Sequence, residues 1–203
     1  MKKNGFEGSV SDYFEHLSGM PKMTLPQTDA GRTAYIETAT EYIRDMEKRL
    51  PDFFSVIPKK PVVARAVEKD RENYGMMPGA AFYTRPPLVG PEPGVFYSNL
   101  VRMDKQPLWS LESVTYHESI PGHHMQIALT QENQSVPDFR RSYFFSGYNE
   151  GWALYAETLA KEMGVYPEGD YGDVGRLFWE LKRAVRLVVD LSLIHIPEPT
   201  RPE

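Results

Sequence analysis

The sequence predicts a mainly α-helical domain that carries a small β-sheet, an α+β fold class, on the strength of two observations. In the first fifty residues or so and again after residue 107, apolar side chains recur at the spacing of amphipathic helices. Between residues 57 and 100 the chain changes to short β-rich runs separated by proline and glycine, a pattern typical of strands and loops. No internal repeat or long linker divides the chain, so we expect one unit over residues 1–190.

The first half of the chain contributes two predicted helices and three predicted strands. A short amphipathic helix is expected over residues 10–17 and a long one over residues 29–51, with Asp29 able to cap its start and Pro51 marking its end. Three further runs are rich in β-branched and aromatic residues and predict the strands of one small sheet: residues 61–67, 80–84 and 94–100.

The second half is predicted to be helical. One helix is expected over residues 108–131, a second over residues 148–163 with Gly164 just past its end, and a third over residues 173–190. The third helix carries four apolar residues on one face: Leu177, Leu181, Val185 and Val188. The whole is therefore one mainly helical unit with a minor sheet.

The composition excludes several classes of protein. The 203 residues carry a net charge of −5 without a basic stripe, so nucleic acid is not an expected partner. The chain has no cysteine, which excludes disulfides, thiolate catalysis and cysteine-ligated zinc. No run of 18 apolar residues is present, so no membrane span is predicted, and the N-terminus lacks the apolar stretch of a signal peptide.

The stretch HESIPGHH, residues 117–124, holds three of the five histidines of the chain together with a glutamate. The familiar zinc-peptidase pattern is H-E-x-x-H on a helix, in which both histidines bind the metal and the glutamate acts as general base. Here the fourth position after His117 is Pro121, which cannot bind a metal. The stretch is therefore either a broken zinc site or one built with different spacing.

Helix geometry favours the second interpretation. In a regular helix His117 and His124 share a face but lie about 10.5 Å apart along the axis, and His123 is turned roughly 120° away. Proline followed by glycine at 121–122 is poorly compatible with an unbroken helix. If these two residues bulge out, the rest reads H-E-S-I-H. We therefore predict His117 and His123 as metal ligands and Glu118 as general base, with His124 as the alternative ligand or as a group that supports the ligands.

A further ligand is predicted in NEGWALYAE, residues 149–157. Glu150 and Glu157 are seven residues apart and so lie on one helical face, which could also be a solvated face with a Glu157–Lys161 pair. The stretch is similar to the N-E-G-aromatic-A segment that carries the third ligand in zinc aminopeptidases. This similarity implies Glu150 as the third ligand, and Glu157 then suits a hydrogen bond from a ligand histidine.

Several motifs in this order resemble one bacterial family, domain of unknown function 885: TYHESIPGHHMQIAL, YNEGWALYAETLAKEMG and LFWELKRAVRLVVD, with AAFYTRPP and GVFYSNL upstream. The resemblance covers nearly all of residues 5–190 and implies a gluzincin-like zinc metallopeptidase. Family chains run to several hundred residues, so it also implies that this chain is a truncated catalytic region. The natural N-terminus would then be missing, which leaves a cytoplasmic or a periplasmic or secreted location open.

The implied function is hydrolysis of a peptide or small amide. Zn²⁺ on His117, His123 and Glu150 would lower the pKa of a bound water, and Glu118 would take its proton during attack on the carbonyl. The resemblance further implies that strand 94–100 could pair with a peptide along its edge. An oxyanion donor is also needed, and the sequence offers five possible residues: Tyr148, Tyr166, Tyr171, Arg183 and Arg186. Of these we select Tyr148 and Arg186 as catalytic candidates.

Two alternatives stay open at this stage. The same site would serve a metal-dependent hydrolase of non-peptide amides or esters, or the chain could be an inactive fragment that binds zinc without turnover. The last stretch, LSLIHIPEPTRPE at residues 191–203, resembles translated sequencing-adapter sequence and is abruptly proline-rich. We therefore expect a non-native tail there, without regular structure or packing. The oligomeric state is not indicated by the sequence.

Overall fold

The structure, a computed structural model, describes residues 1, 5–73, 81–167 and 171–193. Of residue 193 it describes only the backbone. The described chain is mainly helical with one three-stranded sheet, which confirms the predicted α+β class. Its helices are α1 Val10–Gly19, α2 Asp29–Phe53, α3 Leu108–Glu118, α4 His123–Glu132, α5 Asp138–Ser142, α6 Ser146–Glu162 and α7 Gly172–Leu193. Its strands are β1 Val62–Ala66, β2 Ala81–Thr84 and β3 Gly94–Ser98.

The long helix α2 corrects two details of the prediction. Thr28, not Asp29, caps its start, because the Thr28 backbone is extended and its hydroxyl accepts a 3.1 Å hydrogen bond from the Gly31 amide. Pro51 lies inside the last turn rather than at the end. The helix continues to Phe53 there, since a proline so close to the end removes only one hydrogen bond of the last turn.

The sheet has the order β1–β3–β2, with β1 parallel and β2 antiparallel to β3. Four of the five β3 residues are buried, as expected for a central strand. Because β3 has a neighbour along both edges, the expectation that it could pair with a peptide along a free edge is wrong. The outer strand on the side of α3 is β2.

Helix α3 is the centre of the fold, since it packs against α2, α6 and α7 and touches β2. Its side chains are buried on several sides and join the main core with residues of α2 and the sheet. A second, smaller apolar cluster attaches α1 to the start of α3 through Tyr13, Leu17, Met23 and Trp109. This central position makes the C-terminal end of α3 a fixed platform for the side chains that follow.

Helix α7 approaches α3 closely at two glycines. A Cβ on Gly172 would lie 2.1 Å from Glu112 Oε2, and one on Gly175 would lie 2.2 Å from the Trp109 carbonyl oxygen. Further along, the predicted apolar face is not buried: Leu177, Leu181, Val185 and Val188 are each between 49% and 69% exposed. None of the helices in the described part of the chain is both long and apolar enough to cross a membrane.

The predicted boundary near residue 190 lies inside α7. The helix continues through residues 191–193, so the prediction that the tail lacks regular structure from residue 191 is wrong for these three. The backbone hydrogen bonds of α7 simply continue past Asp190, where the sequence offers no helix-stopping residue before Pro197. The rest of the predicted tail, residues 194–203, lies outside the described residues.

Candidate metal centre

The helix predicted over residues 108–131 is interrupted where the sequence indicates it. Helix α3 ends at Glu118, α4 begins at His123, and the Ile120–Pro121 peptide bond between them is cis. The Gly122 amide donates a 3.0 Å hydrogen bond to the Tyr116 carbonyl, which folds the loop back onto the end of α3. A Cβ at Gly122 would lie 2.0 Å from the His117 carbonyl oxygen, so only glycine fits this close approach.

The interruption brings the three predicted ligands together. One donor atom each from His117, His123 and Glu150 lies within 4.8 Å of the others. Glu150 Oε2 is 3.8 Å from His117 Nε2, and Glu150 Oε1 is 3.6 Å from His123 Nε2. The two rings stand nearly perpendicular, at 85° with centroids 4.8 Å apart. Both histidines are buried, and the trio of two imidazoles and one carboxylate is a donor set that suits zinc.

Helix α6 supplies the carboxylate and holds the loop in place. Glu150 lies in the second turn of α6, and the Trp152 indole two residues later donates a 2.8 Å hydrogen bond to the Pro121 carbonyl. The same helix therefore fixes both the third side chain of the cluster and the loop that aims the second histidine. No local pattern in the sequence predicts this bond of Trp152.

Glu157 contacts the first histidine from the side away from the cluster. Its Oε1 is 2.8 Å from His117 Nδ1, and its Oε2 accepts a 2.9 Å hydrogen bond from Ser113. On the other side of the ring, Arg183 Nη2 is 3.0 Å from His117 Nε2. A guanidinium can only donate, so Nε2 is the acceptor and the ring proton is on Nδ1, bonded to Glu157. The tautomer thus presents a lone pair to the cluster.

Arg183 is the main addition to the predicted site. Besides His117 it donates to Glu150 Oε2 at 3.1 Å, and it is partly buried. The positively charged guanidinium thus donates a hydrogen bond to two of the three converging side chains, His117 and Glu150. The sequence named Arg183 only as one of five oxyanion candidates, because its position depends on how α7 packs against α3.

His124 points away from this cluster. Its Nε2 is 2.8 Å from the Lys60 carbonyl oxygen, so this nitrogen carries the proton, and its Nδ1 accepts from the Tyr83 hydroxyl at 2.9 Å. Burial lowers the pKa of His124 to about 4, which keeps the ring neutral. With both nitrogens used, His124 is not available as an alternative ligand. It is linked to the site through Tyr83, whose ring stacks on His123.

Burial controls the charge of the remaining groups. It raises the pKa of the Glu118 carboxyl to about 7, with the nearby carboxylates Glu150 and Glu157 adding to the rise while His117 and Arg183 oppose it. Burial and the neighbouring His117 lower the pKa of His123 to about 4. The second histidine is therefore neutral near pH 7, the state in which an imidazole can bind a metal.

A cavity of about 740 Å³ opens onto the cluster. Such a volume is typical of a small-molecule or peptide site. His117, His123, Glu150 and Glu118 form one part of its wall. Six aromatic residues also line it and are called the aromatic wall: Phe82, Tyr83, Trp109, Phe144, Phe178 and Trp179. The aromatic wall and Lys182, which also lines the cavity, were not among the predicted site residues. Lys182 lies in the quoted run LFWELKRAVRLVVD, the one sequence signal that could have indicated it.

The structure does not bring Tyr148 and Arg186 to this cavity. Tyr148 is 57% exposed in the first turn of α6, and Arg186 is exposed on α7; neither lines the cavity formed by the described residues. On α7, Arg186 comes three residues after Arg183, which places it about 4.5 Å further along the helix axis. Of the two arginines among the five candidates, Arg183 contacts His117 and Glu150 and Arg186 does not.

Comparison with known proteins agrees with this architecture. No curated protein matches the sequence. A solved structure described as "the putative lipoprotein from Colwellia psychrerythraea" is similar, with 36% sequence identity and a TM-score of 0.85. The match covers 91% of this chain and 31% of that chain, so this chain spans about a third of that protein. The family model for bacterial protein of unknown function (DUF885) matches residues 1–198, and the chain therefore belongs to that family.

Proposed function

We propose that this protein is a zinc-dependent hydrolase of the gluzincin kind that cleaves peptides. The observation that carries the proposal is the convergence of His117, His123 and Glu150 beside a buried glutamate, on the wall of a cavity large enough for a peptide segment. Two neutral imidazoles and one carboxylate leave a divalent ion with a net positive charge and room for a further ligand. Three protein ligands are typical of catalytic rather than structural zinc.

Each residue of the cluster has a distinct task in this proposal. His117 and His123 hold the ion through neutral rings, and Glu157 fixes the tautomer of His117 through the 2.8 Å bond to Nδ1. Bound zinc supplies Lewis-acid chemistry, since it acidifies water and polarises a carbonyl. Arg183 must release His117 Nε2 when that nitrogen binds a metal, and its guanidinium is then free to stabilise negative charge on a substrate oxygen.

Glu118 is the proposed proton carrier. It follows His117 directly at the end of α3 and lines the cavity. In hydrolysis, it takes one proton from water as the oxygen bonds to the carbonyl carbon. It then gives that proton to the amine nitrogen as the carbon–nitrogen bond breaks, so the products are a carboxylic acid and an amine.

Metal analysis of the purified chain is the first test. After dialysis against zinc and removal of free metal, we expect about one zinc per chain, and substantially less in His117→Ala. The exposed histidine of α1 provides the matched control, because His16→Ala should keep the zinc. A chain that binds no zinc, or that keeps it fully in His117→Ala, contradicts the proposed centre.

Substrate profiling is the second test. A zinc-loaded chain should hydrolyse members of a library of peptides blocked at the N-terminus and free at the C-terminus, and a chelator should stop the reaction. Cleavage of esters or non-peptide amides alone would replace the peptidase by the broader hydrolase. Zinc binding without any turnover would mean that this stretch of the protein binds the metal but is not by itself an enzyme.

A further inference from the structure

We propose that Lys182 binds the carboxylate of a substrate's C-terminal residue, whose side chain lies against the aromatic wall of the cavity. The inference rests on the proposed function and deepens it: the enzyme would remove C-terminal residues, preferably aromatic or large apolar ones. It is carried by the position, the surroundings and the lack of an anionic partner of Lys182.

Lys182 lines the same cavity as His117, His123 and Glu150. It precedes Arg183 in α7, and the Arg183 guanidinium reaches His117 at 3.0 Å. When the last peptide bond of a substrate is cleaved, only one residue lies beyond that bond. Its carboxylate is about 3.8 Å away from the bond, roughly the distance between consecutive Cα atoms. The C-terminal carboxylate of a substrate whose last peptide bond lies at these three residues would therefore remain inside the cavity that Lys182 lines.

The charge of Lys182 is not neutralised by the described part of the protein. Its ammonium lies 4.2 Å from the centroid of the Trp179 ring, and no ion pair or hydrogen bond links it to any described residue. Lys182 is exposed on α7, and the loss of part of its hydration, together with the two cations Arg186 and Arg183, lowers its pKa. A carboxylate bound there would replace this repulsion by attraction. The other cations that line the cavity differ, because Arg183 bonds Glu150 and the Lys105 ammonium lies 4.0 Å from Asp104 Oδ2.

The aromatic wall predicts the rest of the substrate. Trp109, Phe178 and Trp179 lie together, and all three line the cavity. The centroid of the Phe178 ring is 5.2 Å from that of Trp109 and 5.5 Å from that of Trp179. The Trp109 and Trp179 indole nitrogens are buried without a hydrogen-bond partner among the described residues. An aromatic or large apolar side chain would find stacking partners here. A negatively charged side chain would compete with the carboxylate for Lys182.

A binding experiment tests this without requiring catalysis. The probes are N-acetyl-L-phenylalanine and its uncharged amide, N-acetyl-L-phenylalaninamide, titrated into chelator-treated protein so that no metal can bind the carboxylate. Calorimetry gives the affinities, and tryptophan fluorescence reports on the cavity, since Trp109 and Trp179 line it. We expect the acid to bind roughly tenfold or more tightly than the amide, as for one charge-assisted hydrogen bond.

Three variants make the result specific. Lys182→Met should abolish the preference for the acid while leaving the affinity for the amide nearly unchanged, and Lys182→Arg should keep most of the preference. The matched control is Lys22→Met, because the Lys22 ammonium also lies over an aromatic ring, Tyr171 at 5.1 Å, but outside the cavity. Lys22→Met should bind both probes like the unaltered protein.

The outcomes separate this inference from the proposed function. Equal binding of acid and amide, no binding of the acid, or a preference that survives in Lys182→Met each overturns the carboxylate site. Hydrolysis of hippuryl-L-phenylalanine by the zinc-loaded protein is measured in parallel. If the zinc-loaded protein cleaves neither this peptide nor any member of the peptide library while acid binding still depends on Lys182, the hydrolase proposal fails and the carboxylate site stands.

Discussion

The junction between α3 and α4 and the helix α7 line the same cavity but are determined in different ways. At the junction, nearly every side chain is buried, and His117, Ser119 and His124 each have a hydrogen-bond partner. Helix α7 is fixed at its start by close glycine contacts with α3, while four of its later apolar residues are exposed: Leu177, Leu181, Val185 and Val188. The comparison teaches that the ligand geometry belongs to a tightly packed part of the fold, whereas the cations Lys182 and Arg183 belong to a helix whose later apolar residues are largely exposed.

The largest expected effect of a substitution at the junction is on catalysis. Glu118→Gln should keep the fold and the zinc but lower turnover of a cleaved peptide by roughly 10²–10⁴-fold, because glutamine cannot accept the proton. Steady-state kinetics on the zinc-loaded protein, with zinc content determined on the same sample, measures this. Glu37→Gln, on the exposed side of α2, is the matched control and should be silent. Near-normal turnover in Glu118→Gln would remove Glu118 as the proton carrier.

The next effect tests the rigidity of the junction directly. Gly122→Ala should lower the free energy of unfolding by about 1–3 kcal/mol, because its Cβ would lie 2.0 Å from the His117 carbonyl oxygen and force the loop to shift. Gly151→Ala on α6 is the control, since a Cβ there has nothing within 4 Å, and it should be neutral or stabilising. Urea unfolding measures both. Equal effects of the two alanines would mean that the junction adjusts freely.

A smaller effect concerns the orientation of the first ligand. Glu157→Gln should weaken zinc binding roughly 10–100-fold, because the neutral amide holds the His117 ring and its proton less firmly than the buried carboxylate does. A competition titration with a zinc-binding dye gives the affinity. Glu162→Gln, exposed on the same helix, should bind zinc like the unaltered protein. Unchanged affinity in Glu157→Gln would show that Glu157 only fills space.

Arg183 should act on zinc with the opposite sign. Its guanidinium occupies His117 Nε2 and Glu150 Oε2 in the structure, so a metal has to displace it. Arg183→Met should therefore bind zinc more tightly, roughly tenfold, the size of one charge-assisted hydrogen bond. Arg183→Lys keeps the charge but not the two-pronged geometry and should show a smaller gain. Weaker zinc binding in Arg183→Met would mean that α7 supports the metal site instead of competing for it.

The same contrast explains what could be predicted from the sequence. The break at Pro121-Gly122 follows from local sterics, because no packing partner can make that pair suit a regular helix. The link between Glu157 and His117 follows from helical spacing once a metal site is assumed. The place of Arg183 could not be derived, since it depends on the contact of α7 with α3 across more than sixty residues of chain. Nor could the exposure of the α7 apolar face, because periodicity indicates a face but not what covers it.

The smallest predicted effect concerns that face. Val188→Gln should change the free energy of unfolding by no more than about 0.5 kcal/mol, because Val188 is 69% exposed and glutamine is a good helix former. Leu111→Ala, which truncates a fully buried side chain of α3, is the contrasting variant and should cost about 2–5 kcal/mol. Urea unfolding at two protein concentrations measures both changes. If Val188→Gln is strongly destabilising and the loss grows with concentration, another molecule of the protein covers α7 in solution. The cations beside the cavity would then be held by that contact as well as by the glycines at the start of the helix.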